Sequence, residues 1–589
     1  MWNSENYPFY SLWEKYFEKS DTYHIFLKGK TFNLPNILDV PGGEQDLGKI
    51  LSGKFKGDVI VIEISDNILP LKKFDKNNFK RDIKAIELRN KLEWMYFTSI
   101  DDEIFGKVAN DTFQISRWDL DFFFQDGKRE KIIEYIESNE LEGGFVDFIR
   151  NDCSGKPFSL DLFNKVFQKE KDNDYIMMRF MSFLNEKYDK NPLILSLLHL
   201  SDFKMKSPIY MSKMYNNLSL IYLKNGELDL ARKFSFKSVH NKLIPKHEER
   251  TFLDNQYKSV KYLEPTKIIN PTDEVETDYI DEKRPELGRY NSMNPSIIKI
   301  SGGYLVNLRT VNYHFNGFGR YDWRDGSGKI ITKNILIHYD NDFKVIKTQK
   351  IIEPEGVYVT FDASAIKGLE DVRLAGIKDG KITFLATSCS VSPIGRPSIC
   401  IGTIPYDLSL DELVVEKLYM IPSPSGDLGR CEKNHLPFYA NGELFSIYSY
   451  DPLVICKVNE EYKYEKVQQT MPQINCGHFR GSARPVPYKG NLLIITHQVL
   501  SLEWRTYVSN FVLFDTKFNM LKVSPIFKMI KKENSNDFYS IEYISGMEYD
   551  EKNRMIIITL GLMDGMSRIC FVPEERVDEI LWDVNDVYN

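Results

Sequence analysis

The spacing of apolar positions changes character twice along the chain. Up to about Asp172, short β-like runs such as DVIVIEI (Asp58 to Ile64) mix with helix-like ones such as REKIIEYIES (Arg129 to Ser138), a mixed α/β pattern. Between Tyr175 and Leu263, apolar residues recur at three- and four-residue steps in YIMMRFMSFL, PLILSLLHL and SKMYNNLSLIYLKNGELDLARKFSFKSVHNKLIP, which predicts helix hairpins. A stretch rich in proline and acidic residues follows, EPTKIINPTDEVETDYIDEKRPELG, and reads as a linker because it has no periodicity. Beyond it, short β-branched and aromatic runs closed by turn residues predict an all-β domain. The expected division is 1–172 mixed α/β, 173–263 helical, 264–288 linker and 289–589 all-β.

The all-β part repeats itself. NPSIIKISGGYLVNLR from Asn294, EDVRLAGIKDGKITFLAT from Glu370, EKNHLPFYANGELFSIYS from Glu432, RGSARPVPYKGNLLIITHQ from Arg480 and SGMEYDEKNRMIIITLGLMD from Ser545 each place a polar cluster before a tight turn and an apolar strand. Gly303, Gly380, Gly442, Gly490 and Asn553 take the turns, where a positive φ is wanted. The turns lie roughly 50 to 75 residues apart, room for a four-stranded blade with its loops. The pattern predicts a five-bladed β-propeller. In that architecture the loops feeding each first strand converge on one end of the channel, making neighbours of Asn294, Arg309, Glu370, Asp371, Arg373, Glu432, Lys433, Asn434, Arg480, Arg484, His497 and Asp564.

Charge narrows the partners. A formal net charge of -7, from 77 basic and 84 acidic residues, gives no global positive field for a phosphate backbone or an anionic bilayer, so nucleic acid is not the expected partner. The opening MWNSENYPFYSLWEKYF has no apolar h-region, and no run of about 18 apolar residues occurs elsewhere; a cytoplasmic protein without a membrane span is the expectation. Seven cysteines lack C-x-x-C or C-x-x-H spacing, which suits free thiols rather than zinc or a disulfide framework. In RWDLDFFF, Asp119 and Asp121 form a D-x-D, the arrangement that holds a divalent metal under a nucleotide-sugar diphosphate; a solvated turn beside an aromatic cluster is the plainer reading.

Carboxylates ringed by Arg, Lys and His suit sugar transfer. One carboxylic acid must protonate the glycosidic oxygen while a nucleophile, an activated water or an anion held by cations, approaches the opposite face. Asp371 beside Glu370 offers two carboxyls whose repulsion can raise one pKa, and Arg373, Lys433, Arg484 and His497 would seat a phosphate or sugar phosphate. Asp371 could instead brace a turn, Arg309 and Arg373 could bridge blades, His497 could be a core histidine, and Asp564 could bond its own turn.

Two resemblances add to this. Leu218, Ser219, Tyr222, Gly226, Ala231, Phe234, Ser238 and Pro245 fall where a tetratricopeptide repeat places its signature, which implies either a groove for a protein partner or a helical spacer. From Asn294 to the C-terminus the chain resembles glycoside hydrolase family 130, the β-mannoside phosphorylases and allied β-1,2-mannosyltransferases. N-P-(A/S) and its strand-final Arg are matched by Asn294, Pro295, Ser296 and Arg309, and E-D-P-R by Glu370, Asp371, Val372 and Arg373. Lys433, Asn434, Pro437 and Phe438 echo the K-(D/N)-x-x-x-(P/F) segment, Thr496 to Val499 the Y-H-G-V, and Leu560, Gly561 and Asp564 the terminal Y-G-x-x-D.

The resemblance implies that Asp371 is the general acid of an inverting reaction and that the Arg, Lys and His residues hold phosphate. It implies no cofactor beyond phosphate or a sugar phosphate as co-substrate, with a metal only if the D-x-D is real. Val372, Arg484 and Thr496 depart from the pattern and put the substrate in doubt. A helical repeat ahead of such a propeller is also similar to glycosyltransferase-like proteins of large DNA viruses. Two other readings stand beside the enzyme. One is a glycan-binding scaffold with aromatic platforms from Tyr313, Phe315, Phe318, Tyr321 and Trp323. The other is a nucleotide-sugar transferase whose N-terminal part is catalytic.

Overall fold

The computed structural model describes residues 208–242, 246–315, 321–323, 329–353, 366–424, 426, 429–502 and 504–587, three helical residues at 181, 184 and 185, and five strands near the N-terminus. The chain forms two compact units, Met1–Asn255 and Gln256–Asn589.

In the first unit, β1 (Thr22–Lys28), β2 (Asp58–Ser65), β3 (Lys73–Phe74), β4 (Ile83–Arg89) and β5 (Trp94–Tyr96) form a mixed sheet in the order β1-β2-β4-β3, with β5 also on β4. The β-like run at Asp58 is β2. The helix-like run at Arg129 and the D-x-D of Asp119 and Asp121 lie outside the described residues.

Helices α1 (Pro208–Lys224) and α2 (Leu228–Val239) form an antiparallel hairpin, and α3 (Lys246–Tyr257) follows. Gly226 makes the turn at φ 83°, where a Cβ would be strained. The hairpin closes through apolar and polar contacts together. Tyr222 stacks on Phe234 at 5.3 Å, Ser219 Oγ donates to the Ala231 carbonyl at 2.8 Å, and the Ser212 and Ser238 hydroxyls each donate to the other's carbonyl. One hairpin is not the stacked array on which repeat proteins depend, so the described residues do not show tetratricopeptide repeats.

The second unit is all-β and propeller-like. It opens with β6 (Lys261–Tyr262) and β7 (Lys267–Ile269). The first sheet is built on β8 (Asn291–Ile300) and β9 (Gly303–Val311), then, after a separate two-stranded ribbon of β10 (Tyr313–Phe315) and β11 (Tyr321–Trp323), on β12 (Ile330–Asp340) and β13 (Val345–Ile352), with β14 (Ile366–Lys367) on β12. The second sheet is β15 (Glu370–Lys378), β16 (Lys381–Ser388), β17 (Ser398–Pro405) and β19 (Lys417–Met420); β18 (Glu412–Val414) crosses to β13. The third is β20 (Leu436–Ala440), β21 (Glu443–Tyr450), β22 (Leu453–Val458) and β23 (Tyr464–Thr470). The fourth is β24 (Arg480–Tyr488), β25 (Asn491–Ser501), β26 (Arg505–Phe514) and β27 (Met520–Val523), extended by β28 (Phe527–Lys528), β6 and β32 (Trp582–Asp583). The last holds β29 (Glu542–Asp550), β30 (Met555–Leu562) and β31 (Met566–Pro573) and is completed by β7.

First strands touch in the cyclic order β8, β15, β20, β24, β29 and back to β8. Two sequence expectations change here. The segment expected as a linker supplies β7, which pairs antiparallel with β31 through Ile269 and Ile569, so the ring is closed by a strand from its own beginning. The expected count of five is corrected to four blades continuous in sequence: four sheets each draw their four main strands from one stretch of chain, whereas β29, β30 and β31 make only three and are completed by β7 from the start of the unit. Turn chemistry also shifts by one residue at two hairpins. The left-handed residues are Gly302 rather than Gly303 and Arg554 rather than Asn553, while Gly380, Gly442 and Gly490 hold the expected positions at φ 71°, 77° and 78°.

Sheet faces pack against their neighbours rather than against water, and β9 is buried along its whole length, so its run of Tyr, Leu and Val does not alternate with polar residues. Leu305, Leu336, Leu374 and Phe384 fill the space between the first two sheets, and Ile495, Phe511, Ile544 and Ile558 that between the last two. Each such side chain contributes about 1.5–3 kcal/mol when fully buried.

Candidate functional site

At one end of the channel the first strands are irregular in the same place. Pairing slips between Met293 and Ser296 in β8, between Glu370 and Arg373 in β15, between Gly481 and Ala483 in β24, and between Ile544 and Gly546 in β29. A bulge adds an unpaired residue and re-aims its side chain. The non-glycine residues held at positive φ include Asn294 (43°), Asp371 (47°), Asn434 (66°) and Asp564 (52°). Asn and Asp tolerate that region better than most side chains, but four such positions at one channel end carry a conformational cost of the kind found at functional sites.

Asn294 is also clamped from behind, since a Cβ on Gly561 would lie 2.2 Å from its Oδ1. This close approach explains why glycine follows Leu560, and it turns the Asn294 amide toward Asp371, to whose Oδ1 it donates at 2.9 Å.

Arg309, on β9, is the hub. Its Nη1 donates to Asp371 Oδ1 at 2.7 Å, its Nη2 to Glu370 Oε1 at 2.7 Å and its Nε to Thr332 Oγ1 at 2.9 Å. The guanidinium and the Glu370 carboxylate are both buried, and Lys433 Nζ reaches the other Glu370 oxygen at 3.4 Å. Burial would push the Asp371 carboxyl up, but Arg309, Arg373, the Asn294 hydrogen bond and Lys433 outweigh it and hold the pKa down at about 2. Burial likewise works against the Lys433 ammonium, and Glu370 and Asp371 more than compensate, raising its pKa.

Removing the hub leaves the buried Glu370 carboxylate and the half-buried Asp371 carboxylate without their shared counter-ion. Arg309→Met is therefore expected to destabilise the domain by about 3–5 kcal/mol, readable as a drop in the denaturation midpoint.

Arg373 is held differently. Its Nη1 donates to the carbonyls of Ser482 and Ser545, the latter at 3.2 Å, and its Nη2 to Tyr543 Oη at 2.5 Å. Tyr543 in turn donates to Asn434 Oδ1 at 2.8 Å. Among the described residues no carboxylate forms an ion pair with this buried guanidinium, and its Nε hydrogen and one Nη2 hydrogen stay uncommitted.

His497 is 1 % exposed, with its ring between Tyr507 and Tyr543 and its Nδ1 3.2 Å from Ser482 Oγ. It is a packed support for Tyr543. Burial, with Arg373 and Arg480 nearby, drives its pKa down to about 3. Asp564, in the β30–β31 turn, goes the other way: burial pushes its carboxyl up to about 6, against Arg309 and Arg505 and together with Asp371 and Glu370.

These two shifts act on the acid limb of stability in opposite senses. As pH falls below 6.5 the unfolded chain protonates His497 while the folded imidazole stays neutral to about 3, which favours unfolding. Asp564 opposes it between about 6 and 3.8, because the folded carboxyl takes up its proton first. Denaturant midpoints across this range are expected to fall less steeply for His497→Asn than for the wild type, and more steeply for Asp564→Asn.

Not every expected residue joins the cluster. Arg484 pairs with Glu548 and donates to the Pro485 carbonyl at 3.3 Å, so it neutralises a buried carboxylate of the neighbouring β29 instead of adding to an anion pocket. Glu432 belongs to a separate network, accepting from Tyr448 Oη at 3.2 Å and lying 3.1 Å from His435 Nε2. Sequence reasoning missed Tyr543, Thr332 and the Ser482 and Ser545 carbonyls, which carry no motif. It also missed Glu353, a half-buried carboxyl that desolvation pushes up to about 7 and that accepts the Leu369 N–H at 3.1 Å. Among the described residues no group of His, Cys, Asp or Glu is arranged to hold a metal ion, and no helix is long and apolar enough to cross a membrane.

The second unit thus defines a class: a propeller-like β domain with a charged, bulge-built site at one end of its channel. No family model and no curated protein matches the chain. Among solved structures it is similar to a β-1,2-mannobiose phosphorylase from Listeria innocua, at 16% identity and TM-score 0.37, covering 53% of this chain and 96% of that one. It is also similar to a mannose phosphorylase from Leishmania mexicana (13%, TM-score 0.32, 50% and 88%) and to a GDP-Man-dependent mannosyltransferase from the same organism (10%, TM-score 0.33, 54% and 93%).

Proposed function

We propose that the second unit is a carbohydrate-active enzyme that makes or breaks a glycosidic bond to a mannose-like hexose, by single-displacement inversion with phosphate or a sugar phosphate as co-substrate. One observation carries the reading. Arg373 is a buried cation without an ion-pair partner among the described residues, and it stands beside the Asp371 carboxyl. A buried charge is costly unless it is paired, and an oxyanion is the partner such a guanidinium recognises best.

In the direction of phosphorolysis, a phosphate oxygen bonds to the anomeric carbon from the face opposite the leaving group. The glycosidic C–O bond breaks, and Asp371 gives its proton to the departing oxygen, leaving an alcohol, an inverted sugar phosphate and a carboxylate. A carboxyl held near 2 carries no proton at neutral pH, so the step needs a prior change. Phosphate at Arg373 and Lys433 would neutralise two of the cations that hold Asp371 down, while Arg309, the strongest of them, stays bonded to it, so the reading requires that anion binding raise the carboxyl far enough to take up a proton.

A second reading rests on the opposite shift at Asp564. Where one site drives two carboxyls apart, the raised one is the natural acid, which would leave Asp371 as a charged orienting group.

The test is incubation of the purified protein with α-mannose 1-phosphate, and separately with GDP-mannose, plus manno-oligosaccharide acceptors. Release of phosphate or GDP with an extended product supports the reading. Saturable glycan binding without turnover would instead make the domain a binding module, with the helical hairpin as a site for a protein partner.

A further inference from the structure

Two tryptophans outside the cluster are exposed on neighbouring hairpins. Trp504, 42 % exposed, lies in the turn between β25 and β26, and Trp323, 39 % exposed, ends the β10–β11 ribbon that rises from β9 just beyond Arg309. The turn carrying Asp564 is the equivalent β30–β31 hairpin of the last sheet. Because β24, β29 and β8 are consecutive around the ring, the topology assigns the Asp564 hairpin the place between the other two.

Short-range evidence agrees with the topology. Trp323 is paired directly with Tyr313, so both side chains lie on one face of the ribbon, and Tyr313 is buried close enough to Arg309 to act on its charge. Trp504 precedes Arg505, whose guanidinium lies 5.1 Å from the Tyr507 ring centroid and acts on Asp564. Tyr313 itself is 4 % exposed and offers no platform, contrary to the sequence expectation; the side chains of Phe315, Phe318 and Tyr321 lie outside the described residues.

We infer that Trp323 and Trp504 form an outer subsite on either side of Asp564, which takes the distal pyranose units of a neutral oligosaccharide whose first unit sits at Asp371. The inference rests on the sugar-transfer reading of the inner site. Its chemistry is that of a pyranose: an apolar ring face that an indole covers, and hydroxyls that a carboxyl and a guanidinium bond at the edge. A protein partner fits less well, because the indoles are separated by charged groups and continue into the polar cluster instead of forming one apolar patch.

The test is calorimetric titration of the full-length protein with mannose, a manno-disaccharide and a manno-hexasaccharide, for the wild type, Trp323→Ala, Trp504→Ala, the two Trp→Phe variants and Asp371→Asn. Affinity is expected to climb with chain length in the wild type and in Asp371→Asn. Each Trp→Ala should lower hexasaccharide affinity roughly threefold to tenfold, more than it lowers mannose affinity, with Trp→Phe restoring most of the loss. Equal affinity along the series, no binding of any member, or hexasaccharide affinity untouched by both Ala variants overturns the inference. So does a wild-type dimer that the Ala variants dissolve, which would give the indoles to a second copy. Turnover unaffected in Asp371→Asn would sink the catalytic reading alone and leave the length dependence standing.

Discussion

Asp371→Asn is expected to lower kcat/KM by about 10²–10⁴-fold, the usual contribution of a positioned general acid, while the domain stays folded. The fold should survive because the replacement amide oxygen can still accept from Arg309 and Asn294, and Arg309 keeps its buried pair with Glu370. The proton count distinguishes an acid from an orienting group. If Asp371 is loaded by anion binding, phosphate titration of the wild type takes up protons near neutral pH and that of the variant does not. If Asp564 is the acid, kcat/KM falls as pH rises past about 6, and that limb persists in Asp371→Asn but vanishes in Asp564→Asn.

Arg373→Met is expected to raise the KM for phosphate by roughly 10²-fold or more, about 3 kcal/mol, with a smaller effect on the sugar. The guanidinium does two things at once: it presents uncommitted N–H groups beside Asp371, and it fixes Tyr543 and through it Asn434. Arg373→Lys should not rescue the loss, since a single ammonium cannot span Ser482, Ser545 and Tyr543 and still face an anion. Kinetics with phosphate varied at fixed sugar would read this directly.

How much of this was legible depends on range along the chain. The strand-turn-strand units, three of the turn glycines, and the convergence of Asn294, Arg309, Glu370, Asp371, Arg373, Lys433 and Asn434 follow from local pattern plus the rule that propeller loops meet at one end. Asp564 joins them through its electrostatic neighbours, Arg309 and Asp371 among them.

What sequence could not reveal was register and partnership. Arg484 looks as cationic as Arg373, but Glu548 claims it, and that carboxylate comes from a strand 64 residues away. His497 reads as a ligand until its burial between Tyr507 and Tyr543 is known. β7 hides in an acidic, proline-rich stretch because a three-residue strand has too few positions to show a period, and its partner β31 lies near the other end of the chain. Tyr543 is one of 33 tyrosines, and only the bulges on either side of the channel single it out.

The most direct test of the central claim is proton NMR of the wild-type protein incubated with a β-linked manno-disaccharide and inorganic phosphate, followed from the first minutes. The account predicts that α-mannose 1-phosphate appears only when phosphate is present and fails to form with Asp371→Asn or Arg373→Met. Cleavage that proceeds without phosphate, a first product of retained configuration, or equal turnover in the two variants would contradict it.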